Sequence, residues 1–145
     1  MENIESKYVA TPTGYLMVLT DKNNVIEALS ALAEREKIPS ATFFGIGFAG
    51  VATFGFYDFD DKVFIPKTYN NMELASLTGS IAWQNGKPSI HAHGTTTGAD
   101  YVASGGHILD LEVGTGSIEI TILRHEQKLE RKIDPAIQAN VLQVR

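Results

Sequence analysis

Three of the four histidines lie close together in the segment "IHAHGTTTGADYVASGGHIL", residues 90–109. In a β-strand the side chains of residues i and i+2 point to the same face, so His91 and His93 project together while the residues beside them point into the core. His107 follows two glycines on the next expected strand, and an antiparallel neighbour brings opposing side chains to within about 5 Å. The spacing therefore predicts three imidazoles on one patch.

Three neutral imidazoles with an open fourth position suit a divalent transition metal such as Zn²⁺, Fe²⁺, Ni²⁺ or Cu²⁺. The open position would take water or the carboxylate of a ligand. The chain contains no cysteine, so thiolate ligands, disulfides and a cysteine nucleophile are all excluded. A structural alternative stays open at this point, because half-exposed histidines on a strand can lie near one another without a metal.

Composition narrows the class of protein. A chain of 145 residues with 43% hydrophobic content fits one globular domain with a real core. No apolar run approaches the ~20 residues needed to cross a bilayer, and the start, "MENIESK", is charged where a secretory signal is apolar, so we expect a cytoplasmic protein without a membrane partner. The formal net charge of −5 opposes unspecific attraction to DNA, and the one basic cluster, "RHEQKLERK", contains two glutamates.

The first half of the chain predicts a strand, a helix and an aromatic β region. Residues 15–20 read as a buried strand, and Asn24 with Glu27 has N-cap and N3 character at the start of a helix over about 24–36. The following segment, "ATFFGIGFAGVATFGFYDF", predicts two closely connected strands. Its glycines are expected at bends or where another backbone comes near.

The second half predicts antiparallel strands joined by tight turns. Asn85-Gly86 is a hairpin dipeptide between residues 72–84 and a strand that resumes at Pro88. Residues 105–113 and 117–123 alternate as two further strands, with a turn over the glycines between them. One main helix packed on a mostly antiparallel sheet is a single-domain α+β fold.

Four motifs in succession carry a family resemblance. "MELASLTGSI", "HAH", "GGHIL" and "SIEITIL" resemble the prokaryotic form of the PPC domain, the plants-and-prokaryotes-conserved domain. That family shows E-x-x-S-L-x-G, then H-x-H, then G-G-H, then an apolar strand with a central glutamate. The matching residues are Glu73, Ser76, Leu77, Gly79, His91, His93, Gly105, Gly106, His107 and Glu119. The resemblance covers about residues 14–132, after an N-terminal extension, 1–13, and before a C-terminal tail, 133–145, that closes on the domain.

The resemblance implies a homotrimer with an antiparallel sheet around one helix. It favours a protein that holds a divalent metal at His91, His93 and His107, with zinc as the first choice. Such a protein would bind or sense a small or anionic ligand there. A DNA-binding or transcription-associated role is the alternative, although plant members rely largely on an R-G-R-P AT-hook that this sequence lacks. A metal-dependent enzyme of unknown reaction is the second alternative. Many relatives carry glycine where Tyr101 follows Asp100, so the local turn departs from the family.

Other residues are candidates for supporting roles. Glu73, Asp100 and Glu119 could orient an imidazole or contact the ligand, while a solvated strand face or a trimer contact is favoured for Glu119. Gly105 and Gly106 are expected to form a structural turn before His107. Core and subunit interface are the expected places of an aromatic set: Phe43, Phe44, Phe48, Phe54, Phe56, Tyr57 and Phe59.

Overall fold

Long strands rich in β-branched and aromatic residues form most of the protein, whose computed structural model describes residues 3–145. A short 3₁₀ helix spans Ile4–Lys7. The remaining elements are β1 (Tyr8–Thr11), β2 (Gly14–Thr20), α1 (Val25–Arg35), β3 (Ser40–Asp58), β4 (Val63–Gln84), β5 (Lys87–Thr97), β6 (Ala103–His125), β7 (Glu130–Asp134) and β8 (Ala139–Gln143). One helix and a largely antiparallel sheet confirm the α+β class.

The strands form one sheet in the order β1-β2-β6-β3-β4-β7-β8, and β5 pairs with both β4 and β6. Every pairing is antiparallel except that of β4 with β7. Because β3 and β5 each pair with both β4 and β6, these four strands close into a ring. The ring closes at His107, which lies opposite His93 of β5 and Gly55 of β3.

The helix α1 matches its expected position. The Asn24 side chain accepts a hydrogen bond from the backbone N–H of Glu27 at 3.1 Å, which satisfies one of the free donors at the helix start. One stripe of the helix is buried against the sheet and consists of Val25, Ala28, Leu29, Leu32 and Ala33. Burial of each leucine on this stripe contributes roughly 1.5–3 kcal/mol, so packing rather than intrinsic propensity holds the helix in place.

Two expected chain breaks are absent, and both expectations were wrong for the same reason. The aromatic segment is one strand, β3, and the two predicted strands after residue 103 are one strand, β6. A Cβ at Gly45 would lie 2.5 Å from the carbonyl oxygen of Glu119, and one at Gly114 would lie 2.8 Å from the backbone nitrogen of Gly50. These glycines therefore allow two backbones to approach closely, and they do not end the strands.

The hairpin at Asn85-Gly86 is confirmed. Both residues have positive φ angles, 51° and 75°, as a two-residue type I′ turn requires. The pairing of β4 with β5 starts immediately beside this turn, with Gln84 opposite Lys87. This turn fixes the register that later places His91 and His93.

The strand β2 and the two ends of the chain differ from the expectations. β2 buries only Met17 and Leu19, because its other face is open. Part of the expected N-terminal extension pairs with the sheet as β1, while residues 1–2 lie outside the described residues. The expected C-terminal tail, 133–145, begins within the hairpin that β7 and β8 form, and β7 lies beside β4. No helix among residues 3–145 is long and apolar enough to cross a membrane.

Candidate metal centre

The structure brings the three predicted imidazoles together where the ring of strands closes. His91 Nε2 lies 3.2 Å from His93 Nε2, and the ring centroids of His93 and His107 are 5.4 Å apart. One ligand atom from each of the three residues lies within 4.8 Å of the other two. Ala92, between the first two histidines, is buried in the core, so the alternation that the sequence predicts is confirmed.

The local environment favours the neutral form of two of these imidazoles, His91 and His107. Partial burial in a cleft, reinforced by the neighbouring His91 and His93, lowers the pKa of His107 to about 4. Burial also lowers the pKa of His91, with further contributions from the Arg131 guanidinium and from His93. A neutral imidazole offers a lone pair, which is the form that binds a metal.

The donor set fits a transition metal. Zinc binds imidazole nitrogen at about 2.0–2.1 Å, so two nitrogens sharing one tetrahedral ion stand about 3.3 Å apart. The observed separation of 3.2 Å between His91 and His93 is close to that value. The ligand atom of His107 is within 4.8 Å of both, so it completes a three-nitrogen cluster. Three nitrogen ligands on strands are also a rigid arrangement, because strand pairing fixes their backbones.

The imidazoles open onto a cleft of about 890 Å³. One wall is the far part of the β3–β4 hairpin, and the other includes β7 and the start of β8. The lining residues are Phe54, Gly55, Phe56, Tyr57, Phe59, Phe64, Ile65, Lys67, Tyr69, Ser89, Ile90, His91, His93, Ser104, Gly105, Gly106, His107, Arg131, Ala139 and Asn140. Part of the aromatic set therefore lines the cleft, which the sequence did not indicate, while Phe43 is in the core as expected.

An aromatic ring supports the third imidazole. Phe64 stacks on His107 with ring centroids 4.7 Å apart and an interplanar angle of 16°. Gly55 makes this possible, because a Cβ there would lie 2.8 Å from the Phe64 ring. The Tyr57 ring packs against Phe64 at 4.9 Å, and its hydroxyl donates to the backbone carbonyls of residues 137 and 138. These contacts join the two walls of the cleft.

Arg131 is a functional candidate that sequence reasoning missed. Its side chain lines the cleft and is only 5% exposed. The guanidinium donates to the carbonyl oxygen of Ser89 and, at 2.6 Å, to the hydroxyl of Ser80, while burial lowers its pKa. Arg131 lies in a run of charged residues. Nothing in the spacing of that run indicates that Arg131 faces inward while its charged neighbours are exposed.

The three acidic candidates lie outside the cleft lining. Glu73 is exposed and pairs with Phe48 of β3 and with a threonine of β5. Asp100 accepts a hydrogen bond from the backbone N–H of Val102 at 3.0 Å, so it shapes its own turn. Glu119 is an exposed residue near the other end of β6. No Asp or Glu is among the residues that line the cleft.

The two glycines before His107 lie within β6 and do not form a turn. A Cβ at Gly105 would lie 2.2 Å from the carbonyl oxygen of Gly94, so this glycine permits the close pairing of β5 and β6 beside the histidines. Tyr101 has a φ of 62°, in the left-handed region that favours glycine. This chain therefore places a larger residue in a backbone conformation that favours glycine.

Fold and site together define a single-domain α+β protein with a three-histidine cleft at the closure of its sheet. Residues 6–125 match the model of the Plants and Prokaryotes Conserved (PCC) domain, and the chain belongs to this family. The resemblance seen in the sequence is thereby confirmed. No curated protein sequence matches the chain.

Solved structures show the same fold over nearly the whole chain. A candidate DNA-binding protein from Ralstonia eutropha JMP134 is 59% identical, with a TM-score of 0.95 over 98% of this chain and 99% of its own. A second candidate DNA-binding protein, from Bacteroides thetaiotaomicron VPI-5482, is 27% identical, with a TM-score of 0.88 over 94% and 95%. A metal-containing protein from Archaeoglobus fulgidus is 24% identical, with a TM-score of 0.82 over 94% and 96%.

Proposed function

We propose that this protein is a homotrimeric metal-binding domain that holds one divalent transition metal at His91, His93 and His107. Zinc is the metal that we favour, and a small ligand binds beside it. The convergence of three ligand atoms to within 4.8 Å carries the proposal. When bound, the metal supplies a Lewis-acidic position for an oxygen ligand. The chain supplies the three imidazole nitrogens, and Phe64 supports the third ring through its stacking on His107.

Two further observations support a metal over a chance histidine cluster. Burial lowers the pKa of two of the three clustered imidazoles, His91 and His107, so the site disfavours their protonation and leaves their nitrogen lone pairs free for a metal. The archaeal structure with the same fold is described as metal-containing. At its level of identity that likeness speaks for the fold, so the assignment of the ligands rests on the imidazoles themselves.

Elemental analysis tests the metal site directly. Protein loaded with zinc and then desalted should carry about one zinc ion per chain. A His91→Ala/His93→Ala variant should lose nearly all of it. The control is His125→Ala, because His125 lies outside the cleft and contacts Thr42 at 2.9 Å. Full zinc retention in the double variant would reject the proposal.

A patch of exposed apolar side chains supports self-association. Val18, Glu119 and Ile46 lie opposite one another on β2, β6 and β3, and Leu16 and Phe44 flank Thr121 in the same way two residues along β6. The four apolar residues are all exposed, which is unusual for adjacent positions on one sheet face. We call this surface the Glu119 patch. It is the surface that we assign to contacts within the trimer.

A DNA-binding role is the second candidate, because the relative from R. eutropha is described as a candidate DNA-binding protein. The charge distribution of this chain opposes it. The net charge is −5, and in its one basic cluster Arg131 is buried while Lys128 lies 5.4 Å from the ring centroid of Trp83. A DNA gel-shift assay at low and at physiological salt tests this role, since affinity that comes from phosphate contacts falls steeply with salt.

A metal-dependent enzyme is the remaining alternative. Such an enzyme normally places a carboxylate or another proton acceptor within hydrogen-bond reach of the reacting atoms. The cleft lining contains no Asp or Glu, and its histidines are the proposed ligands. The missing carboxylate favours binding or sensing. Other lining candidates for proton transfer are Lys67 and Tyr69, and the pKa of Tyr69 is lowered by its hydrogen bonds with Ser104 and Lys67.

A further inference from the structure

The buried cation beside the histidines lacks an acidic partner. Arg131 is 5% exposed, and no carboxylate of residues 3–145 forms an ion pair with it. Its hydrogen bonds go to Ser80 and Ser89, and the Nε–H group has no acceptor among the described residues. A buried guanidinium without a counter-charge is costly, and the N–H groups that the two serines do not use, Nε–H among them, can donate to a bound carboxylate.

The rest of the cleft is suited to a flat apolar group. Phe64 is the ring that stacks on His107, and Tyr57 and Phe59 pack edge to face at 4.9 Å beyond it. Phe56 also lines the cleft and is 73% exposed, so its ring has a free face. A large exposed aromatic surface next to a buried cation matches a molecule with one charged end and one planar apolar end.

We propose that the ligand of this cleft is a small aromatic carboxylate, whose carboxylate is bound by Arg131 beside the three histidines and whose ring packs against Phe56 and Phe64. The metal of the proposed function would supply a second contact for the carboxylate, and to that extent the inference rests on it. The contacts made by Arg131 and by the aromatic rings do not need the metal. They can therefore be tested separately from it.

Isothermal titration calorimetry with benzoate tests the inference on the full chain. We expect benzoate to bind zinc-loaded protein at least about tenfold more tightly than benzamide, which has the same shape without the charge, or acetate, which has the charge without the ring. Arg131→Met should reduce benzoate affinity at least about tenfold, because it removes the charge while keeping the volume. Equal binding of benzoate and benzamide would overturn the inference.

A second variant covers the case in which Arg131→Met fails to fold. Phe56 is largely exposed, so Phe56→Ser leaves the core intact and should weaken benzoate binding several-fold without changing acetate binding. The matched control is Tyr101→Ser, because Tyr101 is 89% exposed and does not line the cleft. Unchanged benzoate affinity in Phe56→Ser, or an equal loss in Tyr101→Ser, would contradict the inference.

The metal and the ligand can fail independently in these measurements. Wild-type protein that takes up no zinc yet binds benzoate through Arg131 would reject the proposed function and support the carboxylate site. Protein that holds zinc at full stoichiometry but binds benzoate and benzamide equally would support the metal and reject the carboxylate site.

Discussion

The two ends of β6 carry one proposed ligand, His107, and one supporting candidate, Glu119, that lies outside the cleft lining, and their surroundings differ. At one end, His107 faces two other imidazoles and a stacked phenylalanine inside a cleft. At the other end, Glu119 lies between Val18 and Ile46 on an open apolar face. The side chains of both residues point outward from the same strand. The strands beside each residue decide its role, because β5 brings two more histidines only to the first end.

The largest expected effect is the loss of metal binding at the His107 end. His107→Ala removes one of three ligands and should reduce zinc affinity on the order of 100-fold or more, since a two-histidine site is incomplete. Competition with a chromophoric chelator measures the affinity. A change below tenfold would mean that the imidazole of His107 is not a ligand and would remove the difference between the two ends.

A loss of assembly is expected at the other end. Ile46 is 52% exposed in the Glu119 patch, and Ile46→Asp places a second carboxylate directly opposite Glu119. The substitution replaces an apolar side chain of the proposed contact by a charge, so the proposed trimer should dissociate to monomers at micromolar concentration. Sedimentation velocity measures this. A variant that stays trimeric, or a wild type that is monomeric, would contradict the assignment of this surface.

Crowding beside the histidines should lower stability. Gly105→Ala would force a Cβ to within 2.2 Å of the Gly94 carbonyl oxygen, so β5 and β6 must separate. We expect a decrease of about 1–3 kcal/mol in the free energy of unfolding, measured with urea. The control is Gly98→Ala, whose nearest contact would be an ordinary 3.4 Å. Equal stability of the two variants would show that the pairing tolerates the extra atom.

Acid should lower the free energy of unfolding of the metal-free protein, and the group responsible is His107 at this same end of β6. His107 has a pKa of about 4 when folded and an ordinary value of 6.5 when unfolded, so between these values only the unfolded chain binds the proton. Its contribution to stability is therefore present above pH 6.5 and is lost as pH falls towards 4. Denaturant unfolding from pH 7 to pH 4 measures the slope. His107→Gln should show a shallower slope, and an unchanged slope would assign the effect elsewhere.

The smallest expected effect is at Glu119. Glu119→Gln should change zinc affinity less than about twofold, because this side chain lies outside the cleft lining. The chelator competition used for His107 gives the comparison directly. A tenfold loss in Glu119→Gln would mean that the glutamate acts on the metal, and the contrast between the two ends would then fail.

The sequence predicted the fold class and the convergence of the histidines because both depend on local alternation. The i, i+2 spacing of His91 and His93 and the hairpin at Asn85-Gly86 are local signals, and pairing with His107 needs only the next strand. The glycines misled the prediction of strand ends, since close backbone approach and a turn use the same residue. The two cases differ in whether another strand lies close to the glycine, as the backbone of Glu119 on β6 lies close to Gly45.

The cleft itself could not be predicted, because its walls come from distant parts of the chain. Phe64 reaches His107 only because Gly55 leaves room, and that depends on the pairing of β3 with β6. Arg131 reaches the site through a single parallel pairing of β7 with β4. The short-range patterns around these residues are those of an ordinary hairpin and an ordinary charged tail.

X-ray absorption spectroscopy at the zinc edge tests the three-histidine metal site directly. We expect three imidazole nitrogens at about 2.0–2.1 Å from one zinc ion per chain, with one oxygen ligand completing the shell. In His107→Ala the imidazole count should fall to two, and in Glu119→Gln it should stay at three. A zinc ion with fewer than three imidazoles in the wild type, or a spectrum unchanged by His107→Ala, would contradict a three-histidine site.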